Sequence, residues 1–300
     1  MGRIGRAESI RLVHAALECG VTHVDTARVY GFGDAERMLG AALKGRSDVE
    51  VYTKVGQGHS TQPRLRSSRY ALARPVARLR ARLRDVGSEG AKPGGNFVRR
   101  TDFSIDHVRQ SVETSLRMLR REALDGLLLH EITAEELSPE LVGVLDDLRL
   151  AGKIRRYGVA SETRALTALS AVGMPGDIVQ QAGGPFFDPV AVHHPMETIL
   201  HSVFGAKGQE LRRFYAWLES NTESREQIRA VVQGEGLHGL APALLSYTAS
   251  SRPCASLIFA STSLEHVRRN AFAVQHGLSD ESIKTFSAVI AAYRTHRQEG

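Results

Sequence analysis

The sequence predicts a parallel α/β barrel of eight βα units, a (β/α)8 or TIM barrel, on three observations. Helix-like and strand-like runs alternate along the chain, which is the pattern of parallel βα units. Three successive strand-like runs end in an ionisable group, Asp25, Lys54 and His130, with Tyr30 close behind the first, as the catalytic rim of such a barrel demands. The 300 residues accommodate a barrel of about 250 residues with one long insertion, so a single domain over residues 1–300 is expected.

Each element has a local reason. Glu8 to Cys19 puts Ile10, Val13, Ala16 and Leu17 on one helical face, and Gly20 is its stop. The apolar run from Val21 leads to Asp25. Asp34 to Leu43 reads as the next helix, with Asp34 as cap or first-turn acid. Val49 to Val55 is the strand that carries Lys54. Ser104 to Leu119 has a serine able to cap it and the stripe Val108, Val112, Leu116, Leu119. Leu124 to His130 is the third strand. Pro139 stands where a helix tolerates proline, and the helix runs to Leu150; Gly152 ends it before a strand from Arg155 to Ser161. Asp177 to Ala182, Thr198 to Phe204 and Ala255 to Ala260 give three more strands. That makes seven where a closed barrel needs eight. The first helix begins within the first ten residues, so the expectation is either that the true start lies upstream or that the barrel is open at one seam, with two unpaired strand edges.

Composition narrows the class. The apolar fraction of 42% is that of an ordinary globular protein. No run approaches the ~20 apolar residues of a membrane span. The N-terminus lacks the apolar core of a secretory signal. The two cysteines, Cys19 and Cys254, are far apart, which favours a reducing, cytoplasmic setting. No metal-ligand spacing is present, and His193-His194 before Pro195 reads as the approach to a strand. The formal charge of +6 is concentrated: Gln57 to Arg100 holds ten Arg and Lys92 against Asp85 and Glu89. This segment is too long for an ordinary βα connection and follows the Lys54 strand, so it emerges on the rim. Arg74 to Arg84, with Val76, Leu79 and Leu83, reads as an amphipathic helix. The segment is a lid, a substrate-selecting loop or a solvated insertion. Only Tyr70 and Phe97 accompany its arginines, which disfavours a nucleic-acid partner. Nothing in the pattern specifies an oligomeric state.

The stretch from Gly20 to Gly40 contains Asp25-Thr26-Ala27, Tyr30-Gly31, Glu36 and Leu39-Gly40, and it resembles the signature of the aldo-keto reductase superfamily. Thr53 to Gly56 and Leu127 to His130 are similar to that family's Lys and His blocks in the same order, and further matches reach Asn270. The resemblance implies an NAD(P)H-dependent oxidoreductase interconverting an aldehyde or ketone with the alcohol. It makes Tyr30 the general acid/base, Lys54 the group that tunes it, Asp25 the partner of Lys54, and His130 the group that orients the carbonyl. These residue types suit the chemistry. A free tyrosine, with a pKa of about 10, must be tuned to work near neutral pH. A nearby ammonium stabilises the phenolate and a carboxylate balances that ammonium. A shift of two units represents roughly 2.7 kcal/mol.

The same resemblance assigns a cofactor site. Gly158 to Ser161 resembles the family's fifth strand end, where Ser161 keeps a hydroxyl for the nicotinamide carboxamide and Ala160 departs from the pattern. Gln180 is expected to reach the same carboxamide. His201, followed by Ser202, stands where the family has a tyrosine stacked on the nicotinamide ring. Ile258 to Asn270 resembles the adenosine-phosphate segment. Ser261 and Thr262 form a small-residue turn that lets backbone N–H groups approach phosphate, and Asn270 is placed for adenine. His266 and Arg269 are placed for a 2′-phosphate, which favours NADP(H) over NAD(H). No G-x-G-x-x-G follows a strand, so a Rossmann fold is disfavoured. Family members normally begin with a hairpin and a first barrel strand; Gly2 to Arg6 resembles the loop after that strand, so both are expected to be missing. Two rival readings are a non-catalytic, cofactor-binding barrel of the same family and a barrel lyase using the same Tyr and His.

Overall fold

The computed structural model describes residues 4–58, 100–192, 196–232 and 234–299. Among them the strands are β1 (His23–Asp25), β2 (Glu50–Val55), β3 (Gln57–Gly58), β4 (Arg100–Thr101), β5 (Leu124–His130), β6 (Ile154–Ala160), β7 (Ile178–Ala182), β8 (Glu197–His201) and β9 (Ala255–Leu257). Seven of these form one parallel sheet in the order β1-β2-β5-β6-β7-β8-β9. This is the curled sheet of a TIM-type barrel, and its seven strands are those expected from the sequence. Among the described residues β1 and β9 are its two ends. Two strands stop short of expectation. β8 ends at His201 rather than Phe204 because Ser202 adopts a left-handed φ of 56° and the chain turns, Gly205 N donating to Ser202 O at 2.7 Å. β9 ends at Leu257 rather than Ala260, although Ile258 N still donates to Leu200 O.

The helices are α1 (Arg6–Glu18), α2 (Ala35–Ala42), α3 (Ile105–Leu119), α4 (Pro139–Leu150), α5 (Thr163–Val172), α6 (Gln209–Ser220), α7 (Thr222–Ile228), α8 (Gly236–Ser251), α9 (Leu264–His276) and α10 (Asp280–Glu299). α1 ends as predicted: Gly20, at φ 78°, donates to Leu17 O and Val21 N to Ala16 O, the paired bonds of a Schellman stop. Its buried face includes Leu12 and Ala15 as well as Val13 and Leu17, with Ile10 partly buried against the same core and Ala16 half-buried; α1 also leans on α2, where His14 Nε2 meets Ala42 O at 2.9 Å. Two expected caps are corrected. The Asp34 side chain makes no cap bond, since its backbone already lies in the helical region (φ −95°, ψ −12°) and a cap needs an extended one. Ser104 does not cap α3 through its hydroxyl; instead its N–H donates to Asp102 Oδ1 at 3.0 Å and that turn starts the helix. Ser138 does cap α4, accepting from Leu141 N.

The signature residues between β1 and α3 turn out to be packing devices as well. Glu36 is buried on α2 and accepts from Thr53 Oγ1 and Ser115 Oγ, each at 2.7 Å, tying α2 to β2 and α3. Gly40 lets α2 approach α3 so closely that a Cβ there would lie 2.3 Å from Met118 O. The chain between β7 and β8 contains no helix among the described residues. α10 covers that side, and Phe286, Ile290 and Tyr293 pack with Phe186, Phe214 and Trp217.

Alternate residues of each strand face the barrel interior, which is filled in layers. At the N-terminal end Arg156 pairs with Glu197 and with the Tyr52 hydroxyl, and His23 rests on the Tyr52 ring at 4.1 Å. Burial pushes the Tyr52 phenol well above its ordinary pKa. The middle is apolar: Tyr52, Leu128, Ala160, Ile178 and Ile199, with Ile258 against them. The C-terminal end is polar again. β3 and β4 pair antiparallel there, Gln57 opposite Thr101, and Asp102 N donates to Gly56 O at 2.8 Å. The basic segment thus leaves and rejoins the barrel side by side, just past Lys54. Its expected helix and lid role at 59–99, like His193, His194 and Pro195, lie outside the described residues.

Candidate active site

β1 ends on Asp25, β5 ends on His130, and β2 carries Lys54 beside its last residue, all on the inward face at the C-terminal rim. The Lys54 ammonium donates to Asp25 Oδ1 at 2.6 Å, Oδ2 at 2.5 Å and Thr26 O at 3.1 Å. Asp25 Oδ1 also accepts from Gln180 Nε2 at 2.9 Å. Lys54 is only 3% exposed. Burial pulls its pKa below that of a free lysine, while the charge and hydrogen bonds of Asp25 pull it back up.

Tyr30 opens a 3-10 turn, Tyr30–Gly33, above this pair. Its ring centroid lies 5.2 Å from Lys54 Nζ and 6.0 Å from the His130 ring, which it meets edge-on at 87°. Tyr30 is 40% exposed whereas His130 is 8% exposed, so the phenol opens to the outside and the imidazole lies beneath it. A phenol beside a buried ammonium, itself held by a carboxylate, is equipped for proton transfer.

Further residues flank this group. His201 ends β8 on the inward face, half-buried, with Nδ1 against Ser202 Oγ at 2.9 Å. Burial lowers its pKa below 6.5; the nearby Lys54 charge acts in the same direction and Asp25 opposes it. The imidazole is therefore neutral at pH 7. Ser161 is buried and its hydroxyl donates to Ile132 O at 2.9 Å. The remaining sequence-derived residues gather where β9 leads into α9. Ser261 Oγ accepts from Ser263 N, and Ser263 caps α9 at His266 N. Thr262 is exposed in that turn, and Asn270 is buried two turns into the helix. His266 lies 5.2 Å from the His238 ring, and Arg269 Nη2 passes within 3.2 Å of where a Cβ on Gly234 would be. His266 and Arg269 therefore both face the 234–238 turn. Arg269 is also 3.7 Å from Glu265.

Three features escaped the sequence reading. The Thr26 carbonyl completes the Lys54 shell, and Gln180 bonds Asp25. His23, one inward position below Asp25, keeps a buried Nε2 without a hydrogen-bond partner. The signal for the last two was available: each is a polar residue on the inward face of an apolar strand. Among the described residues no group of three or more His, Cys, Asp or Glu side chains is arranged to hold a metal. No described helix is long and apolar enough to cross a membrane.

Comparison with known proteins gives one consistent result. Residues 1–182 match the family model described as the aldo/keto reductase family. The chain is 30% identical over 164 residues to 6-dehydroglucose reductase of Novosphingobium aromaticivorans, across 53% of this chain and 43% of that protein. The chain thus spans less than half the length of that curated relative. A longer alignment is with pyridoxal 4-dehydrogenase of Microbacterium luteolum, 24% identical across 93% of this chain and 86% of that protein. Among solved structures, an aldo/keto reductase from Klebsiella pneumoniae in complex with NADP and acetate superposes with a TM-score of 0.66 at 20% identity, covering 98% of this chain and 88% of that one. Glycerol dehydrogenase from Gluconobacter oxydans superposes with a TM-score of 0.67 at 20% identity, covering 95% and 86%. These likenesses show the fold.

Proposed function

Because the chain belongs to the aldo/keto reductase family, we propose that it interconverts a small aldehyde or ketone and the corresponding alcohol with a nicotinamide cofactor, acting as a single barrel domain. The observation that carries this reading is the convergence of Tyr30, Lys54, Asp25 and His130 at the barrel rim. In the reductive direction the carbonyl carbon gains a hydride and the carbonyl oxygen a proton; the cofactor, when bound, supplies the hydride. Tyr30 Oη delivers the proton. Lys54 stabilises the phenolate left behind, and Asp25 with the Thr26 carbonyl fixes the ammonium. His130 orients the substrate oxygen by hydrogen bonding and shields it from water.

The donor set fits a nicotinamide dinucleotide. Ser161, Gln180, His201 and Ser202 stand at or near the C-terminal ends of the neighbouring strands β6, β7 and β8; the Ser161 hydroxyl and the Gln180 amide nitrogen already donate to Ile132 O and Asp25, so both would meet a carboxamide through their oxygens. Ser261 and Thr262 offer a small-residue turn at a helix N-terminus for the phosphates, and Asn270 a buried amide for the adenine. His266 and Arg269 share one face of α9, which supports a preference for NADP(H) over NAD(H). The free cysteines, Cys19 and Cys254, agree with a cytoplasmic setting.

The test is a Tyr30→Phe variant assayed with NADPH against a panel of aldehydes. Turnover should fall by at least two orders of magnitude, while cofactor binding followed by tyrosine and tryptophan fluorescence stays within a factor of two or so, since the hydroxyl acts mainly in the transition state. Near-normal turnover in the variant would remove Tyr30 from the acid role.

A further inference from the structure

Asp25 is held from two walls of the barrel. Lys54 reaches it from the adjacent strand β2, and Gln180 reaches it from β7. Three strands, β2, β5 and β6, stand between β1 and β7 in the sheet, so the Gln180 side chain crosses the interior to meet Asp25. Its Nε2 donates to Asp25 Oδ1 at 2.9 Å, the same oxygen that accepts from Lys54 Nζ at 2.6 Å. An ionised carboxylate only accepts hydrogen bonds, so the amide turns its nitrogen toward it.

Gln180 is 3% exposed, and its register neighbours Ala160 on β6 and Ile199 on β8 belong to the apolar layer. A buried amide nitrogen set among hydrocarbon is costly unless bonded, and here its partner is Asp25. The amide is neutral, so it engages the carboxylate without adding a charge. It also stabilises that carboxylate on its own account, drawing on an oxygen that Lys54 shares. The Tyr30 ring lies 5.2 Å from the same ammonium.

We propose that Gln180 is a positioning residue for proton transfer: by holding Asp25 Oδ1 from the far wall it keeps the carboxylate from neutralising Lys54 in full, and leaves that ammonium to act on Tyr30. The inference rests on the roles of Tyr30 and Lys54 proposed above and adds a residue that works through Asp25.

The experiment follows the ionisation of Tyr30 in the free protein by ultraviolet difference spectroscopy. The sequence has seven tyrosines, so each protein is compared with its own Tyr30→Phe counterpart to isolate one of them. In Gln180→Met, similar in volume but without the donor, the Tyr30 transition should move up by about 0.5–1 in pH. Gln180→Leu should do the same and keeps the test standing if the methionine packs poorly. The high-pH limb of kcat for carbonyl reduction should move with it. A merely structural role would lower Tm and leave the transition in place. In an Asp25→Asn background, where position 25 has no charge to share, Gln180→Met should move the transition no further. The other titratable groups facing the pair are His23 on β1, His130 on β5 and His201 on β8. Burial lowers His23 and His201 from 6.5, so both are uncharged where a tyrosine titrates. The spectroscopic titration needs neither cofactor nor substrate, so a chain without reductase activity would count against the proposed function and leave this measurement standing. A Tyr30 transition that stays put or moves down in both Gln180 variants would overturn the inference. So would a full-sized upward shift in the Asp25→Asn background.

Discussion

Replacing Lys54 with Met separates what the Asp25–Lys54 pair does for stability from what it does for chemistry. Methionine matches the apolar stem but removes three hydrogen bonds at once, those to Asp25 Oδ1, Asp25 Oδ2 and Thr26 O. The Lys54 side chain is 2% exposed and that of Asp25 9%, so the carboxylate stays behind as a buried charge that still accepts from Gln180 Nε2. Breaking a buried pair in this way costs about 3–5 kcal/mol. For a chain of this size that lowers Tm by roughly 10 °C. Exchanging both residues, Asp25→Asn with Lys54→Met, removes the stranded charge and leaves the Asn carbonyl to accept from Gln180. Most of the lost stability should then return, because a neutral replacement of a buried pair is commonly neutral or better. Activity should be lost in the single and the double variant alike. Urea and thermal unfolding of the three proteins, alongside carbonyl reductase assays, give the comparison. A double variant no more stable than Lys54→Met would show that the pair is not the isolated buried charge couple described here.

Three further perturbations probe other parts of the barrel. Glu36→Ala leaves the buried hydroxyls of Thr53 and Ser115 without their acceptor and should cost about 2–4 kcal/mol in urea unfolding; a change under about 0.5 kcal/mol, typical of surface sites, would refute the tie between α2, β2 and α3. His23 and His201 both have pKa values lowered from 6.5, chiefly by burial, so their unfolded forms take up protons more readily than their folded forms. Their contribution is complete above pH 6.5 and declines as pH falls toward the folded values, so Tm should drop on acidification below that point, and the drop should shrink in a His23→Phe, His201→Asn double variant. His266→Ala with Arg269→Ala should weaken NADPH more than NADH in fluorescence titrations; equal losses would deny both residues a role at the 2′-phosphate.

How much of the fold and site is legible in the sequence depends on the range of the interactions. Asp25, Lys54 and His130 show themselves because an ionisable group closing an apolar strand has few reasons to be there. The seven strands show themselves through apolar runs, and the helix stops through Gly20 and Gly152. Caps are less legible. Asp34 and Ser104 are the right residue types, but whether a side chain caps depends on a backbone dihedral that tertiary packing sets. The Gln180–Asp25 bond joins residues 155 positions apart, and the β3–β4 clasp joins Gln57 to Thr101; no local pattern encodes either. The strand ends at His201 and Leu257 are hidden because apolar residues continue past them, and the left-handed turn at Ser202 has no compositional mark.

The apolar layer across the middle of the barrel has a consequence for how the chain can vary. Tyr52, Leu128, Ala160, Ile178, Ile199 and Ile258 form a floor of hydrocarbon beneath Lys54. Along the barrel axis this layer lies between Lys54 and the opposite end of the barrel. The network of Arg156, Glu197 and the Tyr52 hydroxyl serves as the underside of that floor. Substitutions there alter how firmly the floor is held, while substitutions among the loops at the mouth alter what is admitted. Durability and selectivity can thus drift independently in this chain, one from below and one from above.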